Sequence, residues 1–193
     1  GIESIFNAKF YLFCFDNQIR LIDFLGVRCQ HPTLGGFGGG PQQLPHLAAS
    51  FGAVMALLTI GTKEAYECIN REKFYQFLKR MKQPDGSFNI HDDGETDIRA
   101  VYCGFAAAHV LNILDKRVAD DATAQWLKEC QTYQDKGQQH NTTRIGGFSQ
   151  EPYDEAHGGY AYCGASALLI MNRPEMINLD TLAVLFRDYS KYI

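Results

Sequence analysis

GFSQEPYDEAHGGYAYCGASALLI, Gly147–Ile170, is written in a register that the chain uses twice more upstream. Phe148 is followed nine residues later by His157, fourteen later by Tyr162, and then by Cys163. The same offsets from Phe37 give His46, Phe51 and Gly52, and from Phe88 they give Asp97, Tyr102 and Cys103. The three anchoring Phe residues lie 51 and 60 positions apart. The segment ahead of each Phe repeats as well: FLGVRCQ from Phe24, FLKRMKQ from Phe77 and WLKECQ from Trp126, ending on Gln30, Gln83 and Gln131. Self-similarity at this period marks a repeat architecture.

The two halves of each repeat have different hydrophobic patterns. Phe74, Phe77, Leu78 and Met81 follow helical spacing with Lys73, Lys79, Arg80 and Lys82 between them, which predicts an amphipathic outer helix capped by Asn70. The second halves, Phe51 to Leu58, Ile98 to Leu114 and Tyr160 to Met171, are apolar nearly all round. They predict inner helices buried on both sides. Gly-rich turns join the two kinds. No strand pattern competes, so the expected fold is all-α. Its helical hairpins stack as a solenoid or a closed double ring, in one domain over 1–193. Three repeats are complete, a fourth outer helix begins near Asn178-Leu179-Asp180, and Ile5 to Phe15 resembles an inner helix without its outer partner. The expectation is an incomplete ring with about three full repeats, and a chain that is a piece of something larger.

Composition narrows the function. The chain has 193 residues, 46% hydrophobic and 21% charged, enough for one domain burying roughly 70% of its unfolded surface. A net charge of −4 offers no basic field for nucleic acid. No apolar run reaches the roughly 18 to 20 residues of a membrane span, and 12% aromatic content excludes disorder. Cys14, Cys29, Cys68, Cys103, Cys130 and Cys163 form no CxxC pair and sit in apolar stretches, so free buried thiols in a reducing, cytoplasmic setting are expected. No zinc-type spacing of Cys and His occurs.

Three polar groups at inner-helix starts are candidates for chemistry. His157, followed by Gly158 and Gly159, puts an imidazole beside helix N-terminal N–H groups, a setting suited to phosphate; a capping histidine is the simpler reading. Asp97 reads as an N-cap, and Arg99 on the first turn must pair with Glu95 or Asp97, or face a ligand. Gly35-Gly36-Phe37-Gly38-Gly39-Gly40-Pro41 lacks the GK[ST] ending of a phosphate loop and reads as a repeat turn close to other backbone. His109 and Trp126 are expected in the core.

GGFGGGPQQLPHLAASFGAV, INREKFYQFLKRMKQPDGSF, ETDIRAVYC and EAHGGYAYCG closely resemble the β subunits of the protein farnesyltransferase family, over about Asp16 to Asn172. The resemblance implies an α–α toroid whose funnel binds farnesyl diphosphate. It also implies an α subunit as heterodimer partner, and transfer of farnesyl to the cysteine thiol of proteins ending in a CaaX box. His157 is similar to the family's diphosphate-binding histidine; Gly159, Tyr160 and Cys163 to its isoprenoid wall and floor; Arg99 and Tyr102, with Asp97 beside them, to its lipid pocket. His46, Ala48 and Ala49 would border the site for the last peptide residue. Tyr160 favours farnesyl over the longer geranylgeranyl chain. Phe51 stands where the family generally has Tyr, and the family's tryptophans ahead of the first GGF turn have no counterpart in Phe10-Tyr11-Leu12-Phe13-Cys14-Phe15. Zinc is the family's cofactor, but its DxCYSFW-like motif and later His do not occur here, nor do the Arg and Lys completing the diphosphate cradle. No metal ligand and no catalytic residue is therefore assigned. The alternatives are an inactive module binding lipid or the α subunit, and a type I geranylgeranyltransferase β subunit. Asp92-Asp93 does not match the DxDD of a terpene-cyclase toroid.

Overall fold

The computed structural model describes residues 16–135 and 144–189. The expected inner helix at Ile5 to Phe15 lies outside them, as does residue Cys14. Helix α1 spans 16–29, and its last seven residues, Asp23–Cys29, adopt π-helical turns. There follow α2 (Leu47–Ile60), the short α3 (Lys63–Glu67), α4 (Arg71–Met81), α5 (Ile98–Val110) and α6 (Asp121–Glu129). Strands β1 (Gln131–Asp135) and β2 (Arg144–Phe148) come next, then α7 (Gly158–Ile170), a 3₁₀ turn at Pro174–Met176 and α8 (Leu179–Tyr189).

Helices α1, α4, α6 and α8 form the outer layer, and α2, α5 and α7 the inner one. Helix α5 packs between α2 and α7. The outer helix α4 buries Phe74, Tyr75, Phe77, Leu78 and Met81 and is capped by Asn70, whose side chain accepts Lys73 N–H at 2.9 Å. Of the inner helices, α5 comes nearest to the all-round burial expected. Helices α2 and α7 keep an exposed face: Ala48, Gly52 and Thr59 on α2, Tyr162 and Leu169 on α7. Trp126 is core, but His109 is exposed on the last turn of α5, against the expectation.

Phe37, Phe88 and Phe148 are fully buried, each worth about 1.5–3 kcal/mol of apolar burial. Each one's carbonyl accepts the N–H of the helix-capping residue nine positions on, at 3.0–3.2 Å. A second set of bonds joins successive repeats: Leu47 N–H donates to Ile90 O at 2.9 Å, and Ile98 N–H to Gln150 O at 3.0 Å. A third joins outer layers. The Gln30 amide accepts from Asn70 N–H and donates to Cys68 O, at 2.7 and 2.8 Å, and the Gln131 amide holds Asn178 N–H and O at 2.9 and 3.0 Å. In the middle repeat the Lys82–Asp120 ion pair takes that place.

Two local features depart from the sequence reading. Helix α5 stops at Val110 rather than Leu114, because Asn112 turns left-handed (φ 57°) and Ile113 N–H closes onto Ala108 O at 2.9 Å. Asn172 ends α7 the same way, with Arg173 N–H on Leu168 O at 2.9 Å. The antiparallel β1–β2 pair was also unforeseen. Repeats one and two carry a single bridge between outer-helix end and Phe turn, Gln30↔Phe37 and Lys82↔Phe88. In repeat three the equivalent Gln131↔Phe148 bridge starts a ladder running to Asp135↔Arg144, since more chain separates its two ends. The fold remains helical, with one hairpin grown from a repeat-conserved bridge. Gly35 and Gly36, at φ 75° and 73°, let the first turn approach so closely that a Cβ on Gly35 would stand 2.0 Å from Lys73 O.

Candidate functional site

The repeat register places His46, Asp97 and His157 as N-caps of α2, α5 and α7. His157 Nδ1 accepts Gly159 N–H at 3.1 Å, so the neutral ring carries its proton on Nε2. That N–H lies across the ring from the cap and meets no partner among the described residues; the ring is exposed and lies edge-on to Tyr160, 5.4 Å between centroids. The capping and ligand-facing readings of His157 are thus compatible. Gly158 N–H, the counterpart of the Leu47 and Ile98 amides, meets no backbone carbonyl among the described residues. It adds a second donor at the positive end of α7.

Asp97 is fully buried. Its carboxylate accepts Arg99 N–H at 2.7 Å and Arg99 Nε at 2.8 Å, and pairs with the Arg99 guanidinium terminus as well. This bond holds the Arg99 pKa above its ordinary value. About half of the Arg99 side chain stays in solvent, and its guanidinium lies 5.6 Å from the Tyr160 ring centre, a cation–π distance. Arg99 is therefore both paired and pocket-facing. Tyr160 donates to Gln150 Oε1 at 3.2 Å, which fixes the ring between the arginine and the histidine.

Arg99, His157, Gly159, Tyr160 and Cys163 line one pocket of about 650 Å³, together with Asp154, Glu155 and Ala156. Asp154 and Glu155 offset the arginine, so the lining presents directed donors rather than a net positive charge. Burial pushes the Cys163 thiol up to about 11, and burial with the neighbouring Cys163 pushes Cys103 up to about 12; neither is a nucleophile near neutrality. The described cysteines are all free.

Tyr102 lies outside that lining, one turn along α5. It belongs to an aromatic ladder with Phe51 on α2 and Tyr162 on α7, ring centroids 5.5 and 5.2 Å apart. Tyr162 was absent from the candidate residues, although its shared offset with Tyr102 was the signal for it. His46, Ala48 and Ala49 stand apart at the start of α2. His46 Nδ1 caps the helix through Ala48 N–H at 3.1 Å, and its ring lies 5.6 Å from that of His91. Burial, then the neighbouring His91 and Arg99, lower the His46 pKa against the pull of Glu95 and Asp97. Among the described residues, no three His, Cys, Asp or Glu side chains come together as a metal centre. The described residues therefore do not by themselves make a zinc site. No described helix is long and apolar enough to cross a membrane.

The model of the prenyltransferase alpha-alpha toroid domain matches residues 13–187. The chain is similar to the protein farnesyltransferase subunit beta of Arabidopsis thaliana, 47% identical over 165 residues, 86% of this chain and 31% of that protein. It is also similar to the protein farnesyltransferase subunit beta of Pisum sativum, 42% identical over 175 residues, 90% of this chain and 38% of that protein. It thus spans about a third of the length of the curated relatives it matches. In fold it is similar to Candida albicans protein geranylgeranyltransferase-I complexed with GGPP, with TM-score 0.64 and 18% identity over 86% of this chain and 48% of that one. Helical hairpins in register, joined repeat to repeat through the N-termini of their inner helices, have the architecture that this match describes: the chain belongs to the prenyltransferase alpha-alpha toroid domain family.

Proposed function

We propose that the chain supplies the isoprenoid-diphosphate site of a protein farnesyltransferase β subunit. The observation that carries the reading is the pocket that His157 and Arg99 line together, with Tyr102 of the Phe51–Tyr102–Tyr162 ladder one helical turn beyond Arg99 on α5. A ligand with an anionic head and a long apolar tail suits that juxtaposition. His157 donates Nε2–H to a phosphate oxygen, Gly158 N–H adds a backbone donor, and Arg99 supplies charge that Asp97 keeps in place. The tail lies along the ladder and covers aromatic area that water now reaches. Charge developing on the departing diphosphate would strengthen the same donors, so they act on the transition state of farnesyl transfer as well as on binding.

The acceptor in this reading is the cysteine thiol of a CaaX protein, with His46, Ala48 and Ala49 at the border of its site. The α subunit is the heterodimer partner, the cytoplasm the setting, and 1–193 a single domain. Zinc, the family's implied cofactor, would supply thiolate activation when bound, at ligands that the described residues do not provide. Support for farnesyl over geranylgeranyl comes from Tyr160 and from the farnesyltransferase names of the relatives above.

Calorimetric titration with farnesyl diphosphate tests the reading. The protein is expected to bind it, and His157→Ala to lose about 1–3 kcal/mol, the value of one charge-assisted hydrogen bond. Equal affinity of the two proteins removes His157 from the site, and no binding by either removes the reading.

A further inference from the structure

Phe51, Tyr102 and Tyr162 occupy one repeat position, and only the last two carry a hydroxyl. Tyr102 is half-buried, and its hydroxyl meets that of Tyr162 at 2.9 Å; Phe51, on its other side, offers no polar atom. Burial first, and then this bond, hold the Tyr102 phenol above its ordinary pKa. Tyr162 itself is 60% exposed, so at present water can reach its side of the pair.

We propose that Tyr162 is a positioning residue of the apolar wall: its hydroxyl satisfies that of Tyr102, so that a hydrocarbon chain can cover the ladder without stranding a phenol. This rests on the isoprenoid reading of the site. The energetics are asymmetric. With the ladder uncovered, a water molecule replaces a lost Tyr162 hydroxyl at little cost. Once an apolar chain excludes that water, a Tyr102 hydroxyl left alone carries its full desolvation cost. Removing both hydroxyls leaves nothing to strand. The bond therefore matters to lipid affinity far more than to folding, and its loss is repaired by a second loss.

The test compares the protein with Tyr162→Phe and with Tyr102→Phe/Tyr162→Phe, reading affinity for farnesyl diphosphate, affinity for inorganic diphosphate and the urea midpoint. Tyr162→Phe is expected to bind farnesyl diphosphate about five- to a hundredfold more weakly, the range for one stranded hydroxyl. Its inorganic diphosphate affinity and urea midpoint should stay unchanged, and the double variant should recover most of the loss. Unchanged farnesyl diphosphate affinity in Tyr162→Phe overturns the proposal, as does a parallel fall with inorganic diphosphate, or a double variant weaker than Tyr162→Phe alone. A parent protein that binds no farnesyl diphosphate overturns the isoprenoid reading, and this inference with it. A parent that binds while Tyr162→Phe matches it overturns only the inference.

Discussion

His46, Asp97 and His157 cap three equivalent helices, but the caps leave different chemistry behind. Asp97 spends both carboxylate oxygens on Arg99 and is sealed from water, so it acts on the pocket only through that arginine. His157 spends one nitrogen on the cap and keeps the other for a ligand. The difference separates stability from binding. Arg99→Met leaves a buried carboxylate without its cation and is expected to destabilise the fold by about 1–3 kcal/mol, discounted from a fully buried pair because half of the arginine meets solvent. Urea unfolding reads this directly, and an unchanged midpoint would show that Asp97 finds another partner. His157→Ala should cost less, about 1 kcal/mol for an exposed helix cap, while costing more in ligand affinity.

At the scale of the helix, a histidine cap makes the N-terminus sensitive to acid. Neutral His46 accepts Ala48 N–H through Nδ1, and the protonated ring cannot. Burial first, then the neighbouring His91 and the Arg99 cation, lower its pKa from 6.5 in spite of Glu95 and Asp97. The unfolded chain then holds more protons at this site than the folded one. Stability is full above the ordinary value and falls as pH drops through it toward the lowered folded value. His46→Asn keeps an acceptor cap that does not titrate. It should flatten the loss of stability that sets in as pH falls below about 6.5, as read by thermal melts across that range. A pH profile identical to the parent's would mean that α2 does not depend on this cap.

The element boundaries show what periodicity can and cannot carry. The cap at Asn70 and the buried face of α4 were written in residue types and spacing. The end of α5 was not, because Leu111, Ile113 and Leu114 keep the apolar pattern past the point where Asn112 reverses the backbone. The β1–β2 ladder was hidden for another reason. Its seed is a bridge common to every repeat, and its sequence alternates nothing that a strand pattern would register.

Across the whole molecule, repetition is what made the site readable. One register positions the buried Phe anchors, the helix caps and the aromatic ladder, so finding the first repeat located the others. Its reach stopped at pairwise contacts: that Tyr102 and Tyr162 share a hydrogen bond, and that Tyr160 sits between Arg99 and His157, depends on how far apart neighbouring inner helices pack. Distances between helices are not a property of spacing along one. In the proposed binding mode the apolar tail of an isoprenoid diphosphate lies along this ladder with its head at α7. A farnesyl diphosphate analogue bearing a photoreactive diazirine on its hydrocarbon chain tests it, with the labelled peptides identified by mass spectrometry. Labelling on α5 and α7, around Tyr102 and Tyr162 and displaced by excess farnesyl diphosphate, is the expected result. Labelling confined to Gln125, Lys128, Thr132 and Tyr153 of the adjoining pocket between α6, β1 and the loop before α7, or labelling that farnesyl diphosphate does not displace, would contradict it.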